Sequence, residues 1–499
     1  MVARTAESIP LDFLPHLPVI VQQHHGQISS DAGLLPIFEF DKKWNYTQRM
    51  ADCLHDPKPQ REHSLLSMLR QRVYGMLASY EDCNDHDTLR NDPVFKLIAG
   101  RLPEDNPLAS QPTLSRFENL ATPAVLQKLI DFNITTGIER LKQKHGGRLP
   151  AIITLDLDPT DDPTHGDQQL TFFHGFYEQF QYLPMIISEP TTKHVFLAWL
   201  RPGTMHAALG ADDDLMRVVN ALRAERPDLV VHVRGDAAFG VPWMYEVCEA
   251  NGLFYTFGFS SNSRLKELTK ELLDKAEEQF KATGQKARLF DCLQYQCNDW
   301  RFPRAVVAKV ECHAGGTNRR FVVTNVPSQY PLAPWPPDIV APPAGATLVE
   351  TMAAEALPSK LPGITTAAQA EIVYDHYIQR GESEHRMDEL KNGLHTDRLS
   401  CHRFMANFFR LLIHTAAYNL LNAVRDDVRL PQVLRVGQPC TWRTHVIKVA
   451  AEVVQTTRRV IVRLAAQWPW WPLYKAVSAR VAAFTTTTAL PSAAVGPSS

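Results

Sequence analysis

The sequence predicts an α/β protein built round a mixed five-stranded sheet, with a β-rich insertion and mainly helical regions at either end. Two runs, residues 151–157 and 229–233, are apolar and β-branched enough to be strands buried on both faces. Between and after them, the apolar residues recur at helical intervals before returning to strand-like runs. Helical spacing dominates the first 147 residues.

In that first region, residues 1–147, SLLSMLRQRVYGMLASY places Leu65, Leu66, Leu69, Val73, Met76 and Leu77 on helical intervals, and PAVLQKLIDFNITTGIERLKQ continues the type. Residues 148–261 open with the first strand, which Pro159 stops. Period-2 alternation puts Ile152, Thr154, Asp156 and Asp158 on one face, so Asp158 emerges at the strand's end. QLTFFHGFYEQF and PMIISEPTTKHVFLAWL then read as a strand meander with a turn at residues 189–192. Leu209, Leu215, Val218, Val219 and Leu222 mark a helix, and the second buried strand follows with Asp236 at its end. A helix from about Pro242 and a strand over 253–259 complete the series. Asp156 competes with Asp158 because both lie on one strand face; Asp161 and Asp162 are weaker rivals. Asp158 is favoured by its place at the rim and by Thr160 two residues on.

Residues 262–362 interrupt the series. A charged helical pattern over 264–283 precedes three strand-like runs, RLFDCLQYQCNDW, RAVVAKVECHA and NRRFVVTNV, and seven prolines between Pro327 and Pro343 make a linker or surface loop. Trp300, near a strand end, is either core or a stacking residue. Residues 363–400 carry the last helix of the core, 401–484 a helical and basic region, and 485–499 a disordered tail. Over residues 396–480 there are 13 Lys or Arg against 4 Asp or Glu, with Arg458, Arg459 and Arg463 clustered in a helical-looking run suited to tracking phosphates.

The most specific pattern is HYIQRGESEHRMDELK. Tyr377, Glu384 and Lys391 recur every seven residues with Arg380 one turn in, so on one helix they form a stripe in which a carboxylate is flanked by two cations and a phenol. Together with Asp158 and Asp236 this makes three carboxylates on a strand end, a second strand end and a helix. Like charges about 4 Å apart repel by about 4 kcal/mol at an intermediate dielectric, so such a convergence requires a cation or a proton. Hard oxygen donors suit Mg²⁺ or Mn²⁺, and two such ions about 4 Å apart serve phosphoryl transfer on a phosphodiester.

Three strands, helix, strand, helix, strand is the order of an RNase H-like domain, and the chain resembles the insertion-sequence DDE transposases of the Tyr-Arg-Glu-Lys branch. The signature is Tyr377, Arg380, Glu384 and Lys391, separated by two, three and six residues. The resemblance extends through LRQRVYGMLASYEDCNDHDTLRNDP, PLASQPTLSRFEN, LDLDPTDDPTHG, FFHGFYEQF, LRPGTMHA, RFVVTNVP and SCHRFMANFFRLL. It implies that Asp158, Asp236 and Glu384 are the catalytic metal ligands for Mg²⁺, with Mn²⁺ able to substitute. It implies that Tyr377, Arg380 and Lys391 grip phosphates near the cleaved end. It further implies binding to terminal inverted repeats, to which the helical N-terminal region contributes, strand transfer into target DNA, a homodimeric synaptic complex, and a bacterial cytoplasmic enzyme associated with the nucleoid. Small departures, Ala237-Ala238 after Asp236 and His385 where asparagine is common, remove no ligand. Two alternatives stay open: a metal-dependent RNase H-like nuclease without strand transfer, and a catalytically silent DNA-binding regulator.

Composition sets the outer limits. At 499 residues and 44% apolar the chain buries a large core, and its net charge of −2 confines any DNA-binding field to local patches. The eight cysteines are scattered, with neither zinc-finger spacing nor a disulfide framework, which fits a reducing cytoplasm. His165, His174 and His206 are isolated, although His174 is a candidate to line the site. No apolar run reaches the length that spans a bilayer.

Overall fold

The first buried run forms strand β1 (Ile152–Pro159), at the centre of the molecule. The structure, a computed structural model, describes residues 8–11, 19–22, 26–55, 62–175, 177–332 and 362–485. Most of the proline-rich linker and nearly all of the C-terminal tail expected above lie outside the described residues. β2 (Met185–Glu189) and β3 (His194–Trp199) both come from PMIISEPTTKHVFLAWL and turn at residues 190–193, so the meander with QLTFFHGFYEQF is met only in part. β4 (Val230–Gly235) is the second buried run, and β5 (Phe254–Phe259) follows it. β1 pairs parallel with β4 and β4 with β5, whereas β2 lies antiparallel to β1 and β3 to β2.

The expected five strands become eight. β6 (Ala287–Tyr295), β7 (Arg304–His313) and β8 (Gly316–Thr324) continue the same sheet, whose order is β6-β7-β8-β5-β4-β1-β2-β3. The reason is edge pairing: β5 would expose a row of unpaired backbone groups, and residues 321–324 of β8 pair antiparallel with residues 256–259 to cover it. The insertion is β-rich as expected, but its strands are part of the central sheet. FFHGFYEQF does not join that sheet. Phe172–His174 and Gln179–Tyr182 form a small separate sheet with Asp162–Pro163.

Helices cover the sheet, and the end regions combine helices with short strands, among them the pair Ser8–Leu11 and Val19–Gln22. α1 (Leu65–Leu77), capped by the Ser64 hydroxyl, and α2 (Pro123–Lys144), capped by Thr122, pack with α8 (Phe404–Arg425), a helix buried almost all round. α2 and α8 also lie against β3, so the two ends of the chain share one apolar core with the sheet. α3 (Ala211–Glu225) and α4 (Pro242–Ala250) are the expected crossovers between β3, β4 and β5. α5 (Lys270–Thr283) packs on β6 and β7. α6 (Ala367–Ile378) begins at a capping box of Thr366 and Gln369, and α7 (Gly381–Asp388) follows it.

The basic C-terminal region departs from expectation. Arg458, Arg459 and Arg463 lie on no helix: β9 (Ala451–Gln455) and β10 (Val460–Leu464) form a hairpin that pairs with Ile28–Ser29. Short apolar runs are ambiguous between the two periods, and the pairing strand comes from the other end of the chain. α9 (Trp471–Ala482) then packs against Leu34–Trp44 near the N-terminus, where Phe484 meets Phe40 at 4.3 Å between ring centroids. Among the described residues, no helix is long and apolar enough to cross a membrane.

A candidate active site around Arg380

β1 delivers two aspartates to one face, and their neighbours give them different fates. Asp156 is fully buried and lies opposite Arg234 in the β1/β4 register. It accepts from Arg234 Nε at 2.7 Å and Nη2 at 3.0 Å, and its Oδ2 also bonds Arg386. All three side chains are at most 2% exposed. Two buried guanidiniums take three of the roughly four acceptor sites of this carboxylate, which leaves it poorly placed to bind a ligand. Asp158, two residues on, has one ion pair, from Arg380 Nη1 to Oδ1 at 2.8 Å. Its Oδ2 is buried and meets no donor in hydrogen-bonding geometry, though the Ser383 hydroxyl is near enough to act on it electrostatically. Burial pushes the Asp158 carboxyl up to about 7, against the opposing pull of Arg380.

Asp236 leaves β4 and caps the short turn Ala237–Phe239, accepting from the Ala238 N–H at 2.9 Å. Burial raises its pKa, while the Ala238 hydrogen bond, Arg380 and His206 oppose the rise. Gly258 on β5 makes this approach possible. A Cβ there would lie 2.7 Å from Ala237 N and 2.9 Å from Tyr377 Oη. Tyr377 therefore reaches over Gly258 to the Asp236 turn from α6, and the Arg380 guanidinium carbon is 5.9 Å from its ring centroid.

The signature stripe is not one straight helix. α6 ends at Ile378, Arg380 is the N-cap residue of α7, and the chain widens into a π-turn over Glu389–Gly393. At the break, Arg234 Nη1 donates to the His376 carbonyl at 2.7 Å, while the Arg380 N–H turns to the Tyr377 carbonyl at 2.9 Å. An i to i+3 bond has replaced the helical one. The break brings Arg380 between strand and helix: Nη1 meets Asp158, and Nη2 lies 3.5 Å from Glu384 Oε1. Glu384 itself projects outward, its side chain 73% exposed.

Lys391, in the π-turn, lies on the flank, with its ammonium 2.6 Å from Asp161 Oδ1. Burial raises the Asp161 pKa, but the Lys391 hydrogen bond and charge more than offset it, so the net shift is downward. Gln179 in the small sheet holds the other Asp161 oxygen at 3.1 Å. Asp162 is buried, and among the described residues neither of its oxygens has a hydrogen-bond partner. The small sheet also brings Tyr177 within electrostatic range of Asp161 and Asp236.

The other sequence-predicted residues lie elsewhere. Trp300 is a core residue, 4% exposed, packed against Tyr245, Phe259 and Tyr295 with Arg304 over its ring, so it has no free face for a base. Arg458 and Arg459 are exposed at the turn of the β9–β10 hairpin, and Arg463 pairs across it with Glu452 at 3.1 Å. Sequence reasoning passed over Arg234, Arg386 and Gly258. Only the strand register and the close approach of the Asp236 turn reveal them.

Asp158 and Glu384 thus share one guanidinium, and Asp236 lies within its electrostatic range. Among the described residues, no three Asp, Glu, His or Cys side chains are gathered closely enough to cage a metal as they lie. The donor chemistry nevertheless suits a hard divalent cation: all three side chains are carboxylates, Asp158 Oδ2 is buried with no donor in hydrogen-bonding geometry among the described residues, and Glu384 is mostly exposed.

The transposase DDE domain group 1 family matches residues 13–335 and 351–486, and the chain belongs to that family. Among solved structures, the cryo-EM structure of the piggyBac transposase synaptic complex with hairpin DNA aligns over 86% of this chain and 86% of that one. Identity is 9% and the TM-score 0.29, a likeness too distant to support an assignment. A comparison with curated proteins finds no match.

Proposed function

We propose that the protein is the transposase of an insertion sequence, which binds terminal inverted repeats, cleaves DNA strands there and joins them to target DNA. The observation that carries this reading is that Arg380 pairs with Asp158 at a strand end and with Glu384 on a helix, and is within electrostatic range of Asp236 at a strand-to-helix turn. The order and direction of β3-β2-β1-β4-β5 support reading that part of the sheet as an RNase H-like core.

In this reading Asp158, Asp236 and Glu384 are the catalytic residues and hold Mg²⁺, or Mn²⁺ in its place. When bound, the metal supplies Lewis acidity for an in-line phosphoryl transfer. The chain's own residues bind and orient the DNA. Tyr377 and Arg380 point donors at the site from the α6–α7 break, and Lys391 is held beside it by Asp161. Arg458 and Arg459 on the exposed hairpin add sequence-independent phosphate contacts. Two ends must be brought together, so the active species is a homodimer on double-stranded DNA.

The test is cleavage and joining of duplexes that carry the repeats flanking the gene, with Mg²⁺ or Mn²⁺. Wild type should nick at the repeat boundary and give joined products, whereas Asp236→Ala and Glu384→Ala should bind the DNA and leave it intact. Nicks without joined products would make the protein a nuclease. Binding without any nick would sink the catalytic reading.

A further inference from the structure

The cation at the centre of the site is the protein's own. Arg380 bonds Asp158 at 2.8 Å and reaches Glu384 at 3.5 Å, with its guanidinium carbon 5.9 Å from the Tyr377 ring centroid. The seat is loosely satisfied: among the described residues Arg380 Nε and Asp158 Oδ2 are buried without a partner in full hydrogen-bonding geometry, although Tyr377 and Ser383 lie near enough to act on these two side chains, and Glu384 is mostly in solvent. A partly satisfied buried network is a weak hold. Arg234 and Arg386 offer the contrast, since both are locked on Asp156 and buried. Arg380 also sits at a helix break, where its backbone is held by an i to i+3 bond.

We propose that Arg380 is the resident counter-ion of the carboxylate site: a divalent cation displaces it, and the freed guanidinium goes to a DNA phosphate. This rests on the catalytic reading above. One guanidinium cannot serve the carboxylates and a phosphate with the same N–H groups. Metal and DNA therefore reinforce each other through one side chain, and by linkage each tightens the other by the same factor, about 5- to 150-fold for couplings of ordinary size. A guanidinium that merely braced the carboxylates would have the opposite consequence, because its removal would loosen metal binding.

The experiment is Mn²⁺ titration of the full chain without DNA, by calorimetry, for wild type, Arg380→Gln and Arg380→Lys. The expected result is several-fold tighter Mn²⁺ in Arg380→Gln, with Arg380→Lys close to wild type because it keeps the charge. Unchanged or weaker Mn²⁺ binding in Arg380→Gln would overturn the proposal. The second measurement needs no variant to fold: wild-type affinity for a fluorescein-labelled repeat duplex, with and without Mn²⁺. Tightening by Mn²⁺ supports the coupling, and its absence overturns it. Wild type that binds no Mn²⁺, or Asp236→Asn and Glu384→Gln variants that bind it as wild type does, would instead overturn the catalytic reading.

Discussion

Asp156 and Asp158 are two residues apart on one strand, yet substitution should separate them. Asp156→Asn removes the charge that balances Arg234 and Arg386, leaving two buried cations underpaired. Breaking such a buried pair costs about 3–5 kcal/mol. Asp158→Asn removes a carboxyl that burial already pushes up to about 7, and releases one partly exposed arginine. The expected outcome is a large fall in the thermal midpoint for Asp156→Asn and a small change for Asp158→Asn, with DNA cleavage lost in both. Equal midpoints, measured by scanning calorimetry, would contradict the assignment of Asp156 to structure. The sequence placed both carboxylates on one face by alternation, but could not rank them beyond position. The decisive partners are 78 and 230 residues away.

At the scale of elements, the sheet is held against α2 by a close contact that one residue makes possible. A Cβ at Gly137 would lie 2.7 Å from the Phe196 ring and 2.8 Å from His194, both buried on β3. Neither neighbour is a flexible end. Gly137→Ala gains helix propensity, up to about 1 kcal/mol, and overpacks the interface by about 1–3 kcal/mol. The expected net effect is destabilisation, read as a lower urea midpoint with an unchanged slope. An increase would mean that the helix shifts freely on the sheet. The strands over residues 152–159, 230–235 and 254–259 and the helices between them were legible because each carries its own periodicity over enough residues, whereas QLTFFHGFYEQF, read as part of the meander, lies in a separate small sheet. The β9–β10 hairpin was not, because its short run fits either period and its partner strand, Ile28–Ser29, lies over 400 residues away.

For the whole molecule, pH should act through buried His194 and partly buried His376. Burial pushes His194 down to about 3, where its Nε2 lies 3.0 Å from the Asn133 carbonyl and Arg140 adds to the depression. His376 is pushed down to about 4 by burial and then by Arg234. A folded pKa below the unfolded value of 6.5 means that the unfolded chain takes up the proton first. The contribution of these groups is complete above about pH 6.5 and drains away as the pH falls towards 4 and then 3. Carboxylates raised by burial, such as Asp158, act with the opposite sign, so the histidine contribution is read by comparison: a His194→Asn variant should lose less of its thermal midpoint than wild type as the pH falls through this window. Identical slopes would remove His194 from the account.

What the sequence by itself determined is what local spacing can encode. It set the strands and helices of the central series, the two aspartates at strand ends, and the Tyr377, Arg380, Glu384 and Lys391 intervals that mark the family. Tertiary structure decided the rest. Strand register gave Asp156 to Arg234, edge pairing enlarged the sheet from five strands to eight, and the signature helix breaks beside the Arg234 bond to the His376 carbonyl, where Arg380 reaches Asp158. Each of these depends on residues distant in sequence and adjacent in space, so no local pattern records them.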